Sequence, residues 1–341
     1  MLISFFLLSL LLANLGCSSS ENKEDNSKTP ENTASSKCSL PVFTDGVSRH
    51  GQLSVKDGIL TDESGESFQL RGMSTHGIGW YPNYVNAGAM KTIREYGANA
   101  IRIAIYTEGD NCYLSEPERN MNIVIQAIEN ARAMDMYIVV DWHILSDGDP
   151  NKYTDKAISF FDAVASRYQN DPSVIYEICN EPNGVEWSAI TKYAYAICHV
   201  IRQYSQQAVI ILGTPDYSFQ IETPLEEPFS AENILYSYHY YAGLHNDYSV
   251  FRRTVEKGLP IIVSEWGISK NTSGEPELDG GKEFVSYLNK KGISWCAWSM
   301  CNKDEVYSVL KPDCDKLSGW QENDLTDVGK TIFSAMGGTA K

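Results

Sequence analysis

The chain is poor in positive charge: 28 lysines and arginines stand against 44 aspartates and glutamates in 341 residues, a formal net charge of -16. A surface of that sign repels phosphate backbones, which argues against nucleic-acid binding. No Gly-rich phosphate loop follows the first strand-like run, so an open nucleotide-binding sheet is disfavoured as well. Among eight cysteines and six histidines there is no CxxC pair and no His-rich spacing, hence no sequence signal for zinc. Long apolar runs are also scarce. The one candidate, Leu2 to Leu15, is shorter than the about 20 residues that a membrane-spanning helix needs.

That run matches the apolar core of a secretory signal. It ends in Gly16-Cys17, with Ser18-Ser19-Ser20 directly after it. The pattern resembles a bacterial lipoprotein signal in which Cys17 becomes the lipid-bearing residue. Ordinary secretion with cleavage nearby is the plainer alternative. Residues 18–45 are mostly Ser, Asn, Glu, Lys and Thr, too polar to bury a core, and are expected to form a disordered tether. With Cys17 set aside the cysteine count is odd, so at least one thiol stays unpaired. Cys179 and Cys296 lie in core-like runs and are expected to act as small buried hydrophobes. Cys301 and Cys314 bracket a loop and could pair in an oxidising compartment.

What the chain does have is a regular alternation of apolar runs and amphipathic stretches over residues 46–337. Strands are expected at Phe68–Met73, Ala100–Ile105, Tyr137–Trp142, Val174–Asn180, Val209–Leu212, Ile234–His239, Ile261–Glu265 and Ile293–Trp298. Helical patterns fill most gaps: Gly88–Tyr96, Met121–Met134, Lys156–Tyr168, Trp187–Gln206, Tyr248–Lys257, Gly281–Lys290 and Thr326–Met336. In the gap after Leu212, Asp216 to Asn233 has two prolines and little periodicity, so only a short or distorted helix is expected there. Eight such repeats in roughly 290 residues indicate an α/β protein, a closed (β/α)8 TIM barrel. Before them, Leu53-Ser54-Val55, Asp57-Gly58 and Ile59-Leu60 carry an Asp-Gly hairpin signal, expected to close the bottom of the barrel.

Polar residues gather at the carboxyl ends of these strands: Arg102, Asp141 with His143, Asn180 with Glu181, His239, Glu265 and Trp298. In this architecture that rim is where active sites are built. Two of the residues narrow the chemistry. Glu181, before Pro182, and Glu265, before Trp266-Gly267, each end an apolar run. A carboxylate buried there costs several kcal/mol unless it is paired or used. Two carboxylates facing across a sheet are the usual apparatus for breaking glycosides.

The segments Arg71-Gly72-Met73-Ser74-Thr75-His76-Gly77, Ile101-Arg102-Ile103-Ala104, Val140-Asp141-Trp142-His143, Asn180-Glu181-Pro182, Tyr238-His239-Tyr240-Tyr241, Ser264-Glu265-Trp266-Gly267 and Trp295-Cys296-Ala297-Trp298-Ser299 occur in that order. Together they resemble family 5 of the glycoside hydrolases, in its bacterial endoglucanase branch. The resemblance implies a cellulase that cleaves internal β-1,4-glucosidic bonds of cellulose and related β-glucans with retention. It implies no cofactor and no metal. The polysaccharide is the expected partner, the protein a monomer that meets a membrane only through its amino-terminal lipid. Its expected place is the cell surface or outer membrane, otherwise the medium.

By the same resemblance Glu181 is the acid/base and Glu265 the nucleophile. Arg102 and Tyr241 hold Glu265, and Asn180 binds the sugar 2-hydroxyl. His143 and His239 line the cleaved subsite, Trp298 and Trp80 stack sugars, and His76 joins Trp80 on the glycone side. Trp187 is open between sugar stacking and helix packing. Glu177 faces inward below Glu181, with Arg71 as its expected partner, and Asp141 is expected to act from behind the reacting groups. A mannanase, xyloglucanase or mixed-linkage glucanase on the same scaffold is the alternative. A surface glycan-binding lipoprotein without catalysis is a further one, against which both glutamates weigh. Asn271-Thr272-Ser273 is formally a glycosylation sequon.

Overall fold

Parallel strands covered by helices on one side and filled by side chains on the other must be apolar on both faces, and these are. The computed structural model describes residues 43–245, 247–269 and 273–337. The expected leader, Cys17, the tether through residue 42, and Asn271 and Thr272 of the sequon lie outside the described residues. Ten strands are present: β1 (Ser54–Lys56), β2 (Ile59–Thr61), β3 (Arg71–Thr75), β4 (Ala100–Tyr106), β5 (Tyr137–His143), β6 (Val174–Glu177), β7 (Ile210–Leu212), β8 (Ile234–Tyr241), β9 (Ile261–Gly267) and β10 (Ser294–Met300). β3 to β10 close into a barrel in sequence order, β10 pairing with β3, every ladder parallel. Every residue of β5, β6, β9 and β10 is buried.

Helices Ala87–Glu95, Pro117–Ala133, Thr154–Arg167, Trp187–Arg202, Ser249–Glu256, Leu278–Lys291 and Asp327–Ala335 form the outer layer. Local chemistry starts and stops them. The Asn86 side chain caps the first by accepting from Ala89 N–H at 2.9 Å. Pro117 opens the second, where its missing N–H costs nothing. Left-handed Gly292 ends Leu278–Lys291. After β7 there are only two four-residue turns, Pro215–Ser218 and Thr223–Glu226.

The hairpin β1–β2 closes the barrel's amino end. Its turn residues Asp57 and Gly58 have φ 50° and 79°, the backbone that an Asp-Gly hairpin supplies. Leu53, Leu60, Phe68 and Leu70 are buried against Ala100, Tyr137, Val139, Ile175, Val209, Ile211, Leu235 and Ile262 from inside the ring. Each such side chain contributes about 1.5–3 kcal/mol by leaving water. Phe68 to Leu70, expected as strand, belong to this plug, and β3 starts later. β6 ends earlier than expected, at Glu177, so Asn180 and Glu181 ride on irregular backbone beyond its ladder.

Three expectations are corrected. Glu177 does not pair with Arg71. Arg71 lies three residues below Ser74, the register partner of Arg102, so it leaves the barrel at the amino end and pairs with Asp45 at 3.4 Å, while Arg102 takes Glu177. Cys301 and Cys314 are free thiols, as are all six cysteines among the described residues. Cys301 Sγ lies 3.2 Å from Ser308 Oγ, and Cys314 Sγ faces the Lys316 carbonyl at 4.0 Å. Phe43 and Asp45, counted with the tether, contact the barrel: Phe43 lies under the Arg94 guanidinium and Asp45 accepts from Arg94 at 2.7 Å.

The hairpin turn gives a test of the plug. A Cβ on Gly58 would run into the carbonyl oxygen of Gly258, and φ 79° disfavours any side chain. Gly58→Ala should therefore lose about 1–3 kcal/mol in thermal denaturation. Catalytic constants should hold, because the turn is at the opposite end from the strand carboxyl termini. An unchanged Tm would mean that the hairpin does not brace the barrel.

Candidate active site

The barrel brings its charged residues into one layer by register. Ser74 pairs with Arg102, Ala104 with Asp141, Asp141 with Glu177, and His239 with Glu265. Glu265 sits inside β9, whereas Glu181 stands on the segment past β6. Oxygens of both carboxylates and a ring nitrogen of His239 lie within 4.8 Å of one another. That spacing suits direct attack by one carboxylate, about 5–5.5 Å between the groups, and leaves no room for the water that needs about 6.5–9.5 Å.

Arg102, fully buried, fixes the floor. Its Nε donates to Glu177 Oε2 at 2.6 Å, Nη1 to Glu265 Oε2 at 3.0 Å, and Nη2 to Asn180 Oδ1 at 2.6 Å, with Asp141 Oδ2 at 3.0 Å. Tyr241 Oη donates to the other oxygen of Glu265 at 2.5 Å. Burial pushes the Glu265 carboxyl up, but the charges of His239 and Arg102 and the Tyr241 hydroxyl outweigh it and hold the group below the usual carboxylate range. Glu177, equally buried, is drawn down to about 2, chiefly by Arg102. Asp141 goes the other way, because burial prevails over Arg102 and His143.

His239 joins Glu181 to the buried Ser264–Glu177 pair. Nδ1 lies 2.8 Å from Glu181 Oε1, and Nε2 lies 3.2 Å from Ser264 Oγ, which donates to Glu177 Oε1 at 2.6 Å. Burial disfavours its charge, yet Glu265, Glu177 and Glu181 overcome that and raise its pKa to about 9. At neutral pH it is an imidazolium. Glu181, Glu265 and His239 have the donor set of a three-ligand metal site. With Arg102 and a protonated His239 against the same carboxylates, the cluster already holds its counter-charge, and a divalent cation would have to displace that proton.

Above the floor is a cleft of about 660 Å³. The line from β6 to β9 divides the ring, and residues line the cleft on both sides of it. On the side of β10, β3 and β4 are Trp298, His76, Tyr106, Lys303, Glu305 and Tyr307; on the side of β7 and β8 are Asp216, Tyr217, Phe219, Leu244 and His245. His143 ring-stacks on Trp298 at 5.4 Å, and its Nδ1 lies 2.6 Å from Asp141. Burial and the Lys303 charge depress His76 to about 3, so it is neutral. Trp80, 40 % exposed, stands on the rim beyond His76 with its ring 4.7 Å from Tyr106. Arg102 and Asn180 lie beneath the cleft, fully buried, and touch Glu265 and His143 from below. Trp187 is buried in helix packing: Nε1 donates to the Glu227 carbonyl at 2.8 Å and the ring meets Tyr236.

Several lining residues carry no reading from sequence. Lys303 Nζ lies 2.6 Å from Glu305 Oε2, while buried Glu305 Oε1 has no hydrogen-bond partner and borders the cleft. Their signal was position: charged residues in the loop just past the carboxyl end of a barrel strand. Tyr106 shares strand parity with Arg102, which sends it inward. The segment 215–219 offered none.

The match to known proteins agrees with this geometry. The family model described as Cellulase (glycosyl hydrolase family 5) matches residues 61–304. Endoglucanase A of Butyrivibrio fibrisolvens is 38% identical over 290 residues, 82% of this chain and 67% of that protein. Endoglucanase N of Pectobacterium atrosepticum is 41% identical over 292 residues, 84% of this chain and 65% of its own length. The chain thus spans about two thirds of these relatives. The catalytic domain of Thermobifida fusca endoglucanase Cel5A, solved with cellotetraose, superposes with a TM-score of 0.80 at 30% identity, covering 85% of this chain and 99% of that one.

The raised pKa of His239 has a measurable consequence. Its pairing stabilises the fold fully below 6.5, the ordinary value, and the contribution is lost as pH rises through about 9. The Tm difference between the protein and its His239→Gln variant should be largest near pH 6.5 and shrink toward pH 9. A difference independent of pH across that window would mean that the ring is neutral.

Proposed function

The chain belongs to glycosyl hydrolase family 5, and on that premise we propose that it is a retaining endo-β-1,4-glucanase acting on cellulose and related β-glucans. The observation that carries this is the pair Glu181 and Glu265, oxygens within 4.8 Å, with Glu265 held ionised by Arg102 and Tyr241. Glu265 attacks the anomeric carbon while Glu181 protonates the departing oxygen, giving a glycosyl ester on Glu265. Glu181 then takes a proton from water, which displaces Glu265 and restores the configuration. Tyr241 and Arg102 receive the carboxylate as it leaves.

Cleavage within a chain needs sugars on both sides of the bond, and the lining on both sides of the Glu181–Glu265 line supports that mode. Trp298 and Trp80 offer ring faces suited to the apolar faces of glucose. Glu305 Oε1, which has no hydrogen-bond partner and lies 3.6 Å from His76 Nε2, and the Lys303 ammonium suit sugar hydroxyls at the glycone end. A net charge of -16 favours a neutral polysaccharide over an acidic one. The names of the relatives weigh for glucan over mannan. As part of the same proposal the enzyme is exported and anchored through Cys17. The support is the leader sequence, and labelling with radioactive palmitate tests it: no incorporation at Cys17 means simple secretion.

Glu181→Ala and Glu265→Ala should each lower kcat on carboxymethylcellulose by about 10³-fold or more with the fold intact by circular dichroism. A 2-deoxy-2-fluoro-cellobioside should leave its label on Glu265, and a label on another residue would undo the assignment. Rates on carboxymethylcellulose, barley β-glucan and mannan, measured together, decide substrate; mannan as the best of the three would overturn the glucanase reading. Glu305→Gln should cost about 1–2 kcal/mol, or about five- to thirty-fold in kcat/KM, on polysaccharide.

A further inference from the structure

Past β7 the chain takes three successive left-handed residues, none of them glycine: Asp216 (φ 55°), Tyr217 (φ 59°) and Ser218 (φ 58°). Each costs about 1–2 kcal/mol relative to ordinary backbone, and such conformations persist only where the surroundings over-determine them. Here the surroundings are the residues on either side of Glu181. Tyr217 N–H donates to the Pro182 carbonyl at 3.1 Å, and Ser218 Oγ donates to the Asn180 carbonyl at 2.6 Å. Both carbonyls lie beyond the end of the β6 ladder, where strand pairing no longer takes them. Asn183 Nδ2 donates to the carbonyl between them, that of Glu181, at 2.9 Å.

Ser218 is completely buried, so its hydroxyl bond is not exchanged with water. A left-handed Ser218 places its hydroxyl under Asn180, and a left-handed Tyr217 turns its N–H to Pro182 while leaving its ring half-exposed on the cleft wall.

We propose that Ser218 is a positioning residue for Glu181: with Tyr217 N–H it brackets the backbone around the acid/base and sets the direction in which that carboxyl meets the departing oxygen. The proposal rests on the reading of Glu181 as acid/base. It assigns the hydroxyl a part in proton transfer and none in the attack by Glu265, which β9, Arg102 and Tyr241 hold through bonds that Ser218 does not make.

The test uses two substrates that differ in their need for a proton. Departure of 2,4-dinitrophenolate from its β-cellobioside needs no protonation, whereas departure of phenolate does. In Ser218→Ala, kcat/KM on phenyl β-cellobioside should fall on the order of tenfold, with the dinitrophenyl substrate within about twofold of the parent. Azide should raise kcat on the dinitrophenyl substrate, because it attacks the anomeric carbon, releases Glu265 and needs no base, leaving β-cellobiosyl azide. Ser218→Gly must behave alike. Glycine is at ease at φ 58°, so this variant removes the hydroxyl and relieves the backbone together, and it stands in should the alanine variant misfold. Equal loss on both substrates in the glycine variant, no loss on either, or no azide effect would overturn the proposal. Glu181→Ala is run alongside: if it too fails to separate the two substrates, the acid/base assignment is what falls.

Discussion

One buried guanidinium organises the catalytic layer. The Arg102 side chain has no exposure to water, and burying a cation costs several kcal/mol unless acceptors surround it. It meets that cost with Glu177, Glu265, Asn180 and Asp141, which come from strands or strand ends around the ring. A lysine has no planar fork and could not reach these acceptors at once. Because the partners arrive on β5, β6 and β9, closure of the barrel is itself what assembles the arginine's surroundings. Fold and nucleophile are therefore fixed by the same contacts.

That arrangement leaves more negative than positive charge, and the excess explains His239. Arg102 alone faces Glu177, Glu265 and Asp141, with Glu181 close by. A second positive charge is stabilising there even at full burial, and the imidazole provides it by keeping its proton up to a pKa of about 9. His76, only a cleft's width away, goes down to about 3 because burial disfavours its charge and Lys303 already supplies one at that end. The same side chain type thus takes opposite protonation states according to which charge its loop neighbours bring.

The strands were legible because a parallel barrel buries both strand faces, which leaves unbroken apolar runs that only a helix could imitate. The polar residues at their ends were legible for the same reason, as charges with no place in such a run. Partnership was not. Glu177 faces inward as its parity indicates, but Arg71 is an odd number of residues from inward Ser74 and lies on the other face of β3, so Arg102 meets Glu177 instead. Cys301 and Cys314 look like a loop clasp in sequence, yet each thiol is buried in a separate contact. The cleft's far wall was invisible because left-handed Tyr217 and Ser218 are residues that seldom adopt that backbone, so nothing in their identity announces it.

The two carboxylates occupy different kinds of backbone, and their tasks account for it. In the proposed mechanism Glu265 must stay charged and aligned with one atom, the anomeric carbon, and it is set within a hydrogen-bonded strand between Arg102 and Tyr241. The acid/base has to serve two oxygens in turn, first the one that leaves and then that of the incoming water. It is carried past the end of β6, on a segment held by Asn180 N–H to the Trp142 carbonyl, by Arg102 and His239 side chains, and by bonds from Tyr217 and Ser218 in the loop past β7. Fixing it inside the ladder would put it on the barrel floor with fully buried Glu177, below the cleft. Ending the strand early is what raises Glu181 to the height of the bond, and the loops past β7 must then supply the order that the ladder gave up.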